Sequence, residues 1–575
     1  MYNIELALFM GQLADLLEIQ GADAKTIRQY RRSVLIINRQ EESLAKQYAK
    51  YQRITVASLE PEVRQNLEEI IALGHCAYYH EQRKDISDDL IKLLFLPGIN
   101  AKIIGYLHRN LHLDDLDSIA AMAVERRLRC YPLIGVKTEQ NLLRGIRLIQ
   151  GVHKEVSLYL ALPLAQRLLG ILQYLPESQS LSTIGSVRRM NEIVHNIDLL
   201  VATRKRENIF DFFSRLAMVD KVIARDLTHI SVRLQIGVVV NLYAIEPQNY
   251  LTALHYYTGT EEYKDKLFQI AEQSGLLMTK QGLYEHKKDK VEFEEEKDLF
   301  THLNLPYIPP ELQESKDILQ AVDLGEFPDL IELADIKGDI HMHTKWSDGA
   351  SSIEEMLDKA RKKGYEYIAV TDHSKSLTRA RGLDSDRLQR QSAEIENLNA
   401  VSADCHILRG TEADILKDGS LDFADDVLAD LDIVGGSIHT YFRQDKKTMT
   451  DRITSALKNP YLTFLSHPTG RLLGRRHPYP LDFDQVINTA QRMGKFLEIN
   501  SSPDRLDLND EMANQAKKAG VPIVINTDAH QKDNMDYIYF GVTVGRKAWL
   551  EKGDVVNTLS LAELKEKIRK QRNRK

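Results

Sequence analysis

Gly338-Asp339-Ile340-His341-Met342-His343-Thr344-Lys345-Trp346-Ser347-Asp348 is the stretch from which the fold is read. In an extended strand, side chains two apart share a face, so His341 and His343 point the same way, and Asp348 follows after a short turn. Three metal-ligating residue types thus converge on one point. A lone His-x-His is ordinarily a pair of surface or packing histidines. The segments downstream argue against that reading, because ligand types recur just beyond apolar, strand-like runs. Tyr367-Ile368-Ala369-Val370 runs into Thr371-Asp372-His373, and Cys405-His406-Ile407-Leu408 into Gly410-Thr411-Glu412-Ala413-Asp414. Leu431 to Val434 leads to Ser437-Ile438-His439, Leu462 to Leu465 leads to Ser466-His467-Pro468, and Val521 to Ile525 leads to Asn526-Thr527-Asp528-Ala529-His530. Helix-like stretches, Ser352 to Lys363 and Asn509 to Ala519, lie between. Strands alternating with helices at this spacing predict a parallel barrel whose strand ends open on one rim.

On these motifs residues 338–575 resemble a polymerase-and-histidinol-phosphatase (PHP) domain, a distorted seven-stranded β/α barrel that binds three metal ions through nine rim ligands. Matched position by position, the ligands implied are His341, His343, Asp348, His373, Glu412, His439, His467, Asp528 and His530. A mixture of histidine and carboxylate suits Mn²⁺, Zn²⁺ or Fe²⁺ better than Ca²⁺. Two further residues are expected at the chemistry. Asp372 would orient His373 rather than bind metal. Arg471, with Arg475, would grip the scissile phosphate; the alternative is that both arginines pair with surface acids.

A chain of 575 residues is too long for one core and predicts three or four domains. Hydrophobic content of 43% with 28% charged residues describes an ordinary globular protein, and no apolar run approaches membrane-spanning length. The start, Met1-Tyr2-Asn3-Ile4-Glu5, lacks a basic flank and an apolar signal core. Cys76, Cys130 and Cys405 form no CxxC pair and read as reduced packing residues of a cytoplasmic, nucleoid-associated protein. The net charge of −7 leaves nucleic acid open, since phosphate contacts draw on local clusters. Arg126-Arg127-Leu128-Arg129, Arg204-Lys205-Arg206 and the tail from Lys565 are such clusters, or else solvated faces.

Upstream of the barrel, residues 1–80 read as helices: Leu6, Met10, Leu13, Leu16 and Leu17 recur at helical spacing, as do Ile27, Tyr30, Val34 and Ile37. The order of features from Leu13 to Arg32 resembles the N-terminal helical domain of family X DNA polymerases, which grips a 5′-phosphate. The lysine that forms a Schiff base in some members corresponds to Asn66, so no such lyase activity is expected. In 81–150, Leu96-Pro97-Gly98-Ile99-Asn100-Ala101-Lys102 and Tyr131-Pro132-Leu133-Ile134-Gly135-Val136-Lys137-Thr138 resemble helix-hairpin-helix motifs. There, backbone N–H groups approach a DNA phosphate, implicating Gly98, Gly135, Lys137 and Thr138. Asn100 and Leu133 stand where glycines are expected; asparagine tolerates unusual turn dihedrals and leucine does not, which marks the second hairpin as the weaker.

Residues 151–240 are similar to the nucleotidyltransferase palm of the same family, and 241–315 to its thumb, with 316–337 as linker. Thr183-Ile184-Gly185-Ser186-Val187-Arg188-Arg189 matches the triphosphate-holding turn, implicating Gly185, Ser186 and Arg189. Of the three aspartates that hold two Mg²⁺ ions in the family, only Asp198 remains; Asn196 and Asn241 occupy the other positions. Asparagine is neutral and cannot serve as a base. Each lost base or ligand typically costs about 10²- to 10⁴-fold in rate, so nucleotide addition is expected to be weak or absent unless Asp220 or Glu192 substitutes. The whole resembles a family X polymerase with a C-terminal PHP barrel: a monomeric, metal-dependent 3′→5′ exonuclease on gapped, nicked or 3′-ended DNA. An active gap-filling polymerase with a proofreading barrel, a DNA-end scaffold and a small-molecule phosphoesterase are the alternatives.

Overall fold

The computed structural model describes residues 1–575 except 152–154, 286–288, 315, 326, 403 and 575, and except the side chains of 136, 137, 316, 317, 320 and 323. Two compact units are present, Met1–Pro310 and Glu311–Lys575. Among the described residues no helix is long and apolar enough to cross a membrane.

The first unit begins with helices Asn3–Gln20 and Ala24–Asn38, joined by a turn at Gly21 (φ 82°). Leu6, Met10, Leu13 and Leu17 are buried against Tyr30 and Ile37, the stripe that the spacing predicts. Its palm is a five-stranded sheet. The strands are β1 (Ser180–Ile184), β2 (Asn196–Ala202), β3 (Val219–Arg225), β4 (His229–Leu234) and β5 (Val239–Ile245), in the order β1-β2-β5-β4-β3. The palm boundary expected at 240 falls inside β5. This strand alternates buried and half-buried residues as far as Ile245 and pairs with β2 over its whole length, so the sheet ends there.

Both hairpin turns put a residue in the left-handed region, Gly98 (φ 78°) and Leu133 (φ 71°). Leucine adopts a conformation not expected of it; its side chain is 47% exposed, and its backbone pays for no buried clash. Asn100 needs no unusual dihedral (φ −131°), because it caps helix Ala101–Leu111, its Oδ1 accepting from Ile103 N at 3.0 Å. The side chain of Lys137 lies outside the described residues. Cys76 and Cys405 are buried, whereas Cys130 is exposed.

In the second unit seven parallel strands follow in sequence order: β6 (Gly338–Asp339), β7 (Tyr367–Val370), β8 (His406–Asp414), β9 (Ile433–Ser437), β10 (Phe464–Leu465), β11 (Phe496–Asn500) and β12 (Ile523–Asn526). An isolated parallel bridge between Met342 and Ala529, just beyond the first and last strands, brings the two edges together, so that the barrel is nearly closed. A helix fills each crossover, as parallel pairing requires. Ile353–Lys363, for instance, starts on a Ser352–Glu355 capping box and stops at Gly364 (φ 74°).

Alternate strand residues face inward and outward. Tyr367, Ala369, Leu408, Ile433, Phe464, Phe496 and Val524 fill the interior, closed at the base by Leu564 and Ile568 of helix Leu561–Arg572. Ile368, Val370, Ile407, Leu497 and Ile525 pack outward against the helices. Residues 316–337 are not a free linker: Ile331 is buried and donates to the Leu550 carbonyl at 2.9 Å, and Lys337 donates to the Asn557 carbonyl at 2.8 Å. Apolar burial ties this segment to the barrel.

Candidate metal centre and palm site

All nine residues matched to metal ligands stand at the C-terminal rim of the barrel, above its filled interior, and Glu412 is their centre. Its Oε1 lies 2.9 Å from His467 Nε2, 3.5 Å from His341 Nε2 and 3.6 Å from His439 Nε2. Its Oε2 lies 2.7 Å from His373 Nδ1 and 3.6 Å from His343 Nε2. Asp348 faces His373 and His530, each at 3.5 Å, and Asp528 Oδ1 faces His343 at 3.1 Å and His341 at 3.8 Å. Three overlapping groups have donor atoms spaced to hold an ion: His343, Asp348, His373 and His530; His341, His343 and Asp528; His373, Glu412 and His439.

The donors fit a cation. His341 Nε2, both ring nitrogens of His343 and Glu412 Oε2 are buried and make no hydrogen bond. Such orphaned atoms are costly unless something satisfies them. Metal ligation needs neutral imidazole and ionised carboxylate. Burial and the neighbouring His373 and His530 push His343 down to about 3, and burial with Arg505 lowers His467 to about 4. Burial works against ionisation of Glu412, but His439, His341 and His373 hold it well below the ordinary carboxylate range. For His530 burial is likewise outweighed, here by Asp348, which raises it to about 9.

Supporting residues fix these donors. Glu498 on β11 accepts from His341 Nδ1 at 2.7 Å and from the His467 amide at 2.7 Å, and Asp414 accepts from His439 Nδ1 at 2.5 Å. His467 (φ 30°) and Asp528 (φ 52°) are both held in the left-handed region, strain of the kind that aims side chains at sites.

Asp372 does not orient His373. Its carboxylate instead accepts from Thr344 N (2.7 Å), Thr344 Oγ1 (2.6 Å), Gln391 Nε2 (2.5 Å) and Ser347. It therefore anchors the loop that carries Asp348. Arg471 is turned to the Leu506 carbonyl beside Asp507, and Arg475 is exposed. The guanidinium that meets the cluster is Arg505, whose Nε lies 3.3 Å from Asp528 Oδ2 and whose buried Nη1 has no partner.

Sequence reasoning missed β11, Glu498, Asp414 and Arg505. The signal for Glu498 was period two: Phe496, Glu498 and Asn500 share the inward face, so a glutamate inside Phe496-Leu497-Glu498-Ile499-Asn500 had to meet a partner.

In the palm, β2 and β5 pair in parallel with Asp198 opposite Asn241. The side-chain amides of Asn241 (2.7 Å) and Asn196 both donate to the same oxygen, Asp198 Oδ1. Burial raises the Asp198 pKa against the pull of these two amides and of Arg189. Gly185 (φ 59°) comes so near that a β-carbon there would lie 2.8 Å from Asp198 Oδ2. Ser186 sits in the same turn, its carbonyl accepting from Asn191 N at 2.9 Å, and Arg189 Nη1 donates to the Thr258 carbonyl at 2.5 Å. Asp220 cannot replace a lost aspartate, because β3 is the opposite edge of the sheet.

Fold and cluster together define a two-unit protein with a polymerase-beta-like part and a metal-binding PHP barrel. A DNA polymerase beta thumb model matches residues 253–314 and a PHP domain model residues 339–502. The DNA polymerase/3′-5′ exonuclease PolX of Bacillus subtilis (strain 168) is 33% identical over 98% of this chain and 99% of its own length. A probable phosphatase of Thermoanaerobacter sp. (strain X514) is 31% identical over 41% of this chain and 96% of its own length. The chain belongs to the PolX family of DNA polymerases that carry a PHP domain.

Proposed function

We propose that this chain acts in DNA repair as a 3′→5′ exonuclease whose chemistry resides in the barrel, while the palm no longer adds nucleotides. The observation that carries the reading is a contrast. Five histidines surround Glu412 in the barrel and Asp348, Asp528 and His530 adjoin them, whereas the three matched palm positions hold one carboxylate, Asp198, bound by two neutral amides. His341, His343, Asp348, His373, Glu412, His439, His467, Asp528 and His530 would hold up to three divalent ions, Mn²⁺ or Zn²⁺ by donor type, with Fe²⁺ the third candidate. Dications bound there would lower the pKa of a bound water, polarise phosphate oxygens and neutralise the leaving alkoxide. The chain's own residues do the positioning. Glu498 and Asp414 set the orientation of His341 and His439, and Arg505 adds a fixed positive charge beside Asp528 for an incoming phosphate.

In the helical domain Asn66 donates to the Tyr30 hydroxyl at 2.7 Å and offers no amine, so 5′-lyase chemistry is not proposed. A second reading, a gap-filling polymerase with a proofreading barrel, is favoured by the name of the Bacillus relative and by the retained Gly185–Ser186 turn with Arg189; the neutral residues at 196 and 241 weigh against it.

The substrate class is tested with Mn²⁺-loaded protein offered 3′-ended DNA and a small phosphomonoester such as histidinol phosphate. Preferential release of nucleotides from DNA supports the reading. Faster turnover of the monoester, with DNA ends intact, would refute it.

A further inference from the structure

The floor of the cluster is sealed, with His341 0% and Glu412 1% exposed, and it opens to solvent at Asp348 and His530, whose side chains are 35% and 39% exposed. A phosphodiester must therefore descend to it from the rim, and what stands on the rim selects the strand. Tyr441, two residues beyond His439, is 59% exposed. Its backbone is held at φ 57°, a left-handed conformation that side chains with a β-carbon rarely adopt. The loop is pinned on both sides of it: Arg379 donates to the His439 carbonyl at 3.4 Å, Arg452 to the Thr440 carbonyl at 3.0 Å and to Gln444 Oε1 at 3.0 Å, and the Gln444 amide to the Tyr441 carbonyl at 3.3 Å. An aromatic ring is thus kept exposed on a strained, pinned backbone two residues from His439.

The surroundings of the ring are cationic. Lys417 Nζ lies 5.7 Å and the Arg452 guanidinium carbon 6.0 Å from the ring centroid, and Arg443 is exposed on the same loop. The acids nearest in sequence are engaged locally, Asp445 by the Thr448 amide at 3.0 Å and Asp418 by the Ser420 hydroxyl at 2.7 Å. An exposed aromatic ring on a pinned backbone, with Lys and Arg close to it, is the kind of arrangement by which proteins hold single-stranded nucleic acid, with bases on the ring and phosphates on the cations.

We propose that Tyr441 is the stacking platform for the unpaired 3′-terminal base of a DNA strand entering the barrel. The inference deepens the nuclease reading and rests on it for the direction in which the strand enters. It makes a frayed or single-stranded 3′ end, rather than a closed duplex end, the form that reaches the cluster.

The test is binding in EDTA, where hydrolysis does not interfere, using the full chain and a single-stranded oligonucleotide with 2-aminopurine at its 3′ end. Stacking quenches this base, so fluorescence should fall on binding to wild type and to Tyr441→Trp but not to Tyr441→Ala. The Kd of Tyr441→Ala for this oligonucleotide should rise about ten-fold. An oligonucleotide with an abasic 3′ end should bind wild type and Tyr441→Ala alike. Equal quenching in wild type and Tyr441→Ala, or equal weakening for both oligonucleotides, would overturn the proposal. Quenching that depends on Tyr441 while DNA ends survive Mn²⁺ would leave the platform standing and remove the nuclease; shortened ends with quenching indifferent to residue 441 would do the reverse.

Discussion

Glu498 illustrates how one buried carboxylate organises the centre without touching a substrate. It accepts from His341 Nδ1, the His467 amide, Asn500 Nδ2 at 3.1 Å and Asn526 Nδ2 at 2.9 Å, so Glu498→Gln would turn an amide donor toward at least one existing donor. Replacing such a partner typically costs about 10- to 100-fold in metal affinity. Titration of the apoprotein with Mn²⁺ should show that loss with the circular dichroism unchanged; wild-type affinity in Glu498→Gln would remove its role. Protons compete at the same donors. His530 sits at about 9 because Asp348 outweighs burial, so below that pH an ion must displace a proton from it. Mn²⁺ affinity should therefore fall as the solution is acidified, by about ten-fold per pH unit where one proton is displaced. Affinity that does not change between about pH 6 and pH 8 would contradict this protonation scheme.

At the scale of elements, what the sequence made legible followed from periodicity, and what it hid followed from side-chain direction. Candidate ligands at strand ends stood out because each follows an apolar run, as His373 follows Tyr367–Val370. Asp372 was misjudged because adjacency in sequence suggested contact, while its carboxylate is turned to the Asp348 loop. β11 was overlooked because Glu498 interrupts its apolar pattern, and Arg505 because it lies in a loop with no periodicity at all. Strands β2 and β5 set Asp198 opposite Asn241, and residue identity alone had placed asparagines at two of the three expected aspartate positions. Because the sheet presents positions 196, 198 and 241 together, Asn196→Asp with Asn241→Asp should create a Mn²⁺ site in the palm, visible by electron paramagnetic resonance as ions beyond those of wild type. No additional ion in the double variant would mean that more than two carboxylates were lost.

The whole molecule consists of two units with separate cores, and among the described residues the donor cluster lies in the second. Ligand binding stabilises the folded state that it selects, by about 2.7 kcal/mol at a hundred times Kd. Thermal unfolding in Mn²⁺ should therefore raise one transition by several degrees relative to EDTA and leave the other in place, and should raise none in His341→Ala; a uniform shift of the whole profile would argue against independent units. The central claim, chemistry in the barrel and none in the palm, is tested most directly by one time course. A 5′-labelled gapped duplex is incubated with Mn²⁺, with and without dNTPs, and wild type is compared with His341→Ala and Asp198→Ala. The account predicts shortening of the labelled strand that is lost in His341→Ala and retained in Asp198→Ala. Template-directed extension that disappears in Asp198→Ala would contradict it and restore the palm as a working polymerase.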